Sequence, residues 1–190
     1  MTINLEVIEW IVFGTSMVYV YCAAHKLIYT WPLALIYVGL TFYLDIRGNL
    51  YLEGILQLFY FLMGIYGWLN WKKDKLKNLP ITQWPINYHL INIALSSLAS
   101  MVLGYLFFKY TDQKNPFLDA FTTCFSLLAT YMVVKRILEN WIYWIFINGA
   151  LICLFYLNEY PILAFQYAIF LAMSFYGLWK WTVDYKKMNE

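Results

Sequence analysis

The sequence predicts an all-α membrane protein with seven transmembrane helices, built as two parallel three-helix repeats joined by a central helix. Three observations carry this prediction. The chain is 63% hydrophobic and 22% aromatic but only 13% charged, whereas a soluble domain is about half apolar and about a quarter charged. Seven continuous apolar runs are each long enough to cross a bilayer as a helix. The C-terminal half also repeats the N-terminal half at a fixed spacing. No alternation over ten-residue segments marks an outer-membrane β-barrel. With 190 residues, one transmembrane domain over 1–190 is expected, with short loops and no soluble module.

The runs follow in order. The first covers about 5–24 and ends at His25-Lys26. The second covers about 28–44, with Trp31-Pro32 near its start, where a proline is tolerated, and stops at the turn signal Asp45-Ile46-Arg47-Gly48-Asn49. The third, about 50–71, is closed by Trp68, Trp71 and a lysine-rich stretch, and a polar linker continues to about Pro85. The remaining runs are about 86–108, 117–134, 141–157 and 160–181. No basic residue precedes the first run, so a cleaved signal peptide is not expected.

An odd number of spans puts the termini on opposite sides. With the N-terminus outside, the inner side holds Lys26, Lys72, Lys73, Lys75, Lys77, Lys135, Arg136, Lys180, Lys186 and Lys187, and the outer side holds only Arg47, Lys109 and Lys114. The excess of inner cations fixes that orientation. Trp68, Trp71, Trp179 and Trp181 then fall at the inner interface, where amphipathic rings prefer to sit.

Shifting the chain by 110 residues aligns Trp31 with Trp141, Gly39 with Gly149, Leu44 with Leu154, Met63 with Met173, Tyr66-Gly67 with Tyr176-Gly177 and Trp71 with Trp181, without a gap. Repeat 1 runs over about 5–71 and repeat 2 over about 117–181. One linking helix, about 86–108, restores orientation, so the repeats are parallel. Duplicated bundles of this kind build a transport site where they meet. The linking helix carries Ser96, Ser100 and Gly104 at helical spacing. Small residues there suit close packing inside one chain or an oligomer seam equally well.

Polar groups inside apolar spans are costly and are therefore the first functional candidates. Glu53, Gln57, Tyr60 and Gly64 form one stripe, and Asp119, Thr123, Ser126 and Thr130 another. Trp141, Trp144 and Asn148 stand at i, i+3 and i+7 on a third. Facing inward, the stripes would enclose a polar path. Ordinary roles fit as well. Glu53 and Asp119 lie near the outer ends, where water reaches carboxylates. Thr123 and Ser126 can bond back to their own helix, and Asn148 can serve as helix–helix glue.

Cys22, Cys124 and Cys153 all sit in apolar runs with no metal-ligand spacing, and only His25 and His89 are present. Neither disulfides, zinc nor any cofactor is expected. No GxSxG, HExxH or P-loop occurs, so an enzyme has no visible basis. A membrane enzyme and a structural membrane subunit remain as other-class alternatives. Tryptophans, tyrosines and amides suit a flat, partly apolar ligand, and each ring facing a cation adds about 0.5–2 kcal/mol. The stripes are too aromatic for a bare sugar and too poor in Arg and Lys for a phosphorylated solute.

Three segments together carry a family resemblance: Asp119-Ala-Phe-Thr-Thr-Cys-Phe-Ser126, then Lys135-Arg136-x-x-Glu139-Asn140-Trp141-x-x-Trp144-x-x-x-Asn148, and Gln57-x8-Tyr66-Gly67-Trp68-x-x-Trp71. The chain resembles the PnuC vitamin transporters over about residues 8–182. The resemblance implies a layout similar to SWEET sugar transporters, a homotrimer in the cytoplasmic (inner) membrane, and facilitated diffusion of an unphosphorylated vitamin. It also implies net uptake drawn by a cytoplasmic vitamin kinase, and no nucleic-acid partner. By that likeness Gln57, Trp141, Trp144 and Asn148 line the site, and the full candidate set adds Tyr37, Tyr60, Tyr66, Thr123 and Ser126. Family members that carry nicotinamide riboside often have Asn where this chain has Tyr37 and Gly64. The expected substrate is therefore thiamine, with nicotinamide riboside second and riboflavin third.

Overall fold

The computed structural model describes residues 5–47, 51–75 and 80–189, without the side chains at 5, 6, 9, 45, 51–55, 74, 75 and 189. Seven helices are present among the described residues: α1 (Leu5–Ala24), α2 (Thr30–Arg47), α3 (Tyr51–Lys75), α4 (Ile86–Tyr110), α5 (Pro116–Val134), α6 (Asn140–Leu157) and α7 (Pro161–Asn189). Among the described residues, α4, α5, α6 and all but the last residue of α7 are long and apolar enough to cross a membrane. Shorter apolar stretches lie within α1 and α2. Glu53, the outer member of the α3 stripe, lies outside the described side chains.

The chain divides into two compact units, Met1–Leu79 and Pro80–Glu190. In the first, α1 packs on α2 and α2 on α3. The α1–α2 connection is a tight reversal. Lys26 takes the left-handed conformation at φ 55°, and the Leu27 N–H reaches back to the Cys22 carbonyl at 2.9 Å. These two features satisfy the helix-end carbonyls in the manner of a Schellman cap. Thr30, fully buried, donates its hydroxyl to the Leu27 carbonyl at 2.7 Å as α2 begins.

In the second unit α4 packs on α5, α5 on α6 and α6 on α7. The α5–α6 connection repeats the first reversal bond for bond. Arg136 stands at φ 54°, the Ile137 N–H reaches the Met132 carbonyl at 2.9 Å, and buried Asn140 donates to the Ile137 carbonyl. Each of these residues lies 110 positions after its counterpart, so the sequence repeat extends to backbone geometry. Proline opens α5 and α7, where its missing N–H and fixed φ carry no penalty.

The segment before α4 is strapped onto the α5–α6 connection. Thr82 donates its N–H to the Arg136 carbonyl at 3.1 Å and accepts from the Leu138 N–H at 2.8 Å. Beneath the strap lies an apolar core of Phe125, Ala129, Met132, Ile137, Tyr143 and Ile147, flanked by half-buried Trp84, Phe121, Leu128, Trp144 and Leu151. On α4 the buried positions are Ser100 and Gly104. A Cβ on Gly104 would stand 2.6 Å from the Phe117 ring of α5. Gly104 therefore serves contact inside the chain, one of the two roles the sequence left open for the small-residue stripe.

Candidate functional site

Residues seven apart on an α-helix point about 20° from one another, while residues three apart diverge by about 60°. The stripe on α6 fans accordingly. Trp141 and Asn148 face α7, whereas Trp144 turns toward the α5-facing core and stays half-buried. Trp141 is 3% exposed, packs edge-on to Trp181 at 5.6 Å and 85°, and lies over Gly177. In the first unit Trp31 packs on Trp71 at 5.2 Å and 90° and lies over Gly67. Trp141 thus holds the same packing position in its repeat that Trp31 holds in the other. Both indole N–H groups, Trp31 Nε1 and Trp141 Nε1, are buried without a hydrogen-bond partner among the described residues.

Asn148 is the amide inside the apolar run of α6. It is 3% exposed and donates from Nδ2 to Ser174 Oγ on α7 at 3.0 Å. Ser174 in turn donates to the Phe170 carbonyl at 2.8 Å. In the first repeat the corresponding positions are Val38 and Gly64, with Val38 buried and Gly64 closed over by Leu35. The buried amide–hydroxyl pair therefore belongs to the second repeat alone.

On α5, Ser126 and Thr130 are buried and Thr123 is half-buried. Asp119 accepts a hydrogen bond from Gln113 Nε2 at 3.0 Å in the first turn of α5, where the helix dipole favours an acid. In the first unit, Tyr37, Gln57 and Tyr60 are half-buried and Tyr66 is exposed, as is its counterpart Tyr176. The Gln57 amide oxygen is buried with no hydrogen-bond partner among the described residues, an arrangement that costs a few kcal/mol unless a ligand or water satisfies it.

The structure thus joins Trp141 and Asn148 to α7 and Trp144 to the α5 side of α6. Among the described residues, five buried polar side chains were not singled out from sequence: Ser16, Thr30, Thr122, Gln166 and Ser174. Ser174 had a visible signal, because it occupies the repeat position of Gly64, two residues before the tyrosine of the Tyr-Gly pair. No group of His, Cys, Asp and Glu residues suited to a metal ion occurs among the described residues.

Apolar helices with tryptophan-locked ends and a buried amide facing a neighbouring helix define a multi-pass α-helical membrane protein. The profile of the nicotinamide mononucleotide transporter family matches residues 6–183. The chain belongs to that family. It is 23% identical over 160 residues to the nicotinamide riboside transporter PnuC of Escherichia coli, covering 69% of this chain and 67% of that one. It is 22% identical over 161 residues to the riboflavin/roseoflavin transporter RibM of Streptomyces davaonensis, covering 81% and 74% respectively. The crystal structure of the vitamin B3 transporter PnuC superposes with a TM-score of 0.75 at 23% identity, over 93% of this chain and 80% of that one. The fold is therefore that of a known membrane transporter.

Proposed function

We propose that this chain carries unphosphorylated nicotinamide riboside across the cytoplasmic membrane by facilitated diffusion, through a single transport domain of 3+1+3 helices. The buried Asn148–Ser174 pair carries the reading. It is a polar device present in one repeat and replaced by Val38 and Gly64 in the other, and half-buried Trp144 stands on the same helix. A pyridinium ring against an indole gains about 0.5–2 kcal/mol. Amides supply both donors and acceptors for ribose hydroxyls, the part we give to Asn148 and Gln57. Trp141 braces the helix end, Thr123 and Ser126 remain candidates on α5 of the same unit, and Tyr37, Tyr60 and Tyr66 remain candidates on α2 and α3 of the first unit. The candidate residues include neither Arg nor Lys, which disfavours a phosphorylated form of the vitamin.

The riboside replaces thiamine, the substrate ranked first from sequence. That ranking rested on the loss of amides at Tyr37 and Gly64. The second repeat keeps its own amide–hydroxyl pair, and the named relatives include a riboside transporter and a riboflavin transporter. We further infer an N-terminus outside, a C-terminus inside, a homotrimer, and net uptake drawn by a cytoplasmic kinase. These extend the charge asymmetry and the family likeness.

Calorimetry on the purified protein in detergent, with nicotinamide riboside, its mononucleotide, thiamine and riboflavin in parallel, tests the reading. Riboside binding with no mononucleotide binding supports it, and saturable riboside uptake into liposomes completes it. Thiamine or riboflavin binding in place of the riboside refutes the substrate. A chemically altered product, or no solute flux for any of them, refutes the transporter.

A further inference from the structure

A second polar cluster lies outside the residues assigned to the vitamin, where the strap before α4 meets the start of α6. His89, in the first turn of α4, places Nδ1 2.9 Å from the Tyr143 hydroxyl. Its Nε2 stands 4.0 Å from Glu139 Oε2, with the two side chains only 12% and 18% exposed. That Nε2 is buried and has no hydrogen-bond partner among the described residues. The same Glu139 oxygen accepts the Trp84 N–H at 3.4 Å. The Trp84 ring lies 5.7 Å from the His89 ring, and Tyr143 stacks on the imidazole at 5.8 Å.

A neutral imidazole has one N–H, and a carboxylate 4.0 Å away is beyond hydrogen-bond reach. A second proton makes both ring nitrogens donors. Nε2 then faces a charged acceptor, and a charge-assisted bond closes to about 2.7–2.9 Å. We propose that His89 and Glu139 form a proton-binding pair that clamps the start of α4 to the α5–α6 connection. Glu139 immediately precedes α6, so the clamp also sets the entry of the helix bearing Trp144 and Asn148. This last step rests on the transport reading; the clamp does not.

The other charged or titratable groups around the pair are the Tyr143 hydroxyl on α6, Tyr131 at the end of α5, Tyr88 on α4, and Lys135 and Arg136 in the connection. Lys135 Nζ sits 5.8 Å from the Tyr131 ring centroid, and Tyr131 and Tyr88 both lie against Trp84. Lysine, arginine and tyrosine do not change charge over the ordinary imidazole range, so the switching charge belongs to His89. The proposed clamp is closed when His89 carries a second proton beside an ionised Glu139, and open when the imidazole is neutral.

Amide exchange read by mass spectrometry on the full chain in detergent, without vitamin, tests the clamp at about pH 8 and about pH 5.5, after correction for chemical exchange. Peptides covering residues 82–90 and 137–143 should exchange about tenfold more slowly at the lower pH. His89→Gln and Glu139→Gln should each abolish that difference, while His25→Gln keeps it. If one of the two variants does not fold, the other decides. Exchange independent of pH in the wild type, or a pH effect that survives Glu139→Gln, overturns the clamp. Riboside affinity should change about threefold over the same range in the wild type and stay flat in Glu139→Gln. A flat wild type with pH-dependent exchange overturns the coupling to α6, whereas absence of riboside binding at either pH bears on the transport reading alone.

Discussion

Gly177 lies so close to Trp141 that a Cβ added to it would stand 2.6 Å from the indole ring. The first repeat makes the same contact between Gly67 and Trp31, closer still. Each tryptophan is almost fully buried and wedged edge-on against a second, Trp181 or Trp71. In lipid, helices gain little from hydrophobic exclusion of one another, and close packing against small residues takes its place.

Alanine at either glycine should therefore overpack the helix pair. Gly177→Ala and Gly67→Ala are each expected to destabilise by about 1–3 kcal/mol, seen as a lower thermal unfolding midpoint in detergent. Gly39 and Gly149 form another matched pair in the repeat, yet a Cβ on either meets nothing within 4 Å. Alanine there should be neutral or raise stability by up to about 1 kcal/mol. Equal behaviour of Gly177→Ala and Gly149→Ala would contradict the wedge.

Gln57 separates stability from function in the opposite direction. Its buried amide oxygen lacks a hydrogen-bond partner among the described residues, so the empty protein carries its desolvation cost. Gln57→Leu should raise the unfolding midpoint without ligand and weaken riboside binding by about tenfold, the worth of about 1.4 kcal/mol. A variant that is more stable but binds normally would remove Gln57 from the site.

The helices were legible because apolar length is set by the bilayer. Residues 5–24 read as a span and form α1. Hydropathy reports membrane thickness, not helix length. The apolar run of the last span therefore ends near Trp181, while α7 continues to Asn189 with a Lys180–Asp184 pair at 3.9 Å along its polar end. The repeat was legible through its Trp and Gly pairs, which the fold uses as wedges. Ser174 was not singled out, because a serine in an apolar helix usually bonds its own backbone, and only the approach of α7 to α6 pairs it with Asn148. His89 and Glu139 are 50 positions apart and of ordinary type. The Thr82–Ile137 bridge brings them together, and no local pattern encodes it.

Gly104 faces Phe117 within the chain, so its effect belongs to the α4–α5 contact. Gly104→Ala should destabilise by about 1–3 kcal/mol. Part of this should be recovered in the double variant with Phe117→Ala, since residues in contact are not additive. Thermal unfolding of the two single variants and the double variant measures the coupling. Full additivity, with a change in oligomer size for Gly104→Ala, would assign the stripe to an intermolecular seam instead.

Asn148 and Ser174 can be resolved by a cycle with two readouts. Their hydrogen bond is buried between α6 and α7, and such bonds inside membranes average about 0.6 kcal/mol in stability. An amide has two N–H donors and an acceptor oxygen, and the Ser174 bond uses one donor. A ribose hydroxyl thus has further amide capacity to engage. Ser174→Ala is expected to lower stability slightly and riboside affinity by only about threefold, because Asn148 remains. Asn148→Ala should lower affinity by about tenfold or more, beyond what loss of the Ser174 bond accounts for. In the double variant, affinity should match Asn148→Ala alone, since Ser174 acts on the ligand through the amide it orients. Trp144→Ala should cost affinity independently, with partial recovery in Trp144→Phe, because a ring face persists. Equal affinity losses for Asn148→Ala and Ser174→Ala, tracking their unfolding midpoints, would reduce the pair to helix–helix glue and shift the search for the riboside contact to the half-buried groups of α2, α3 and α5.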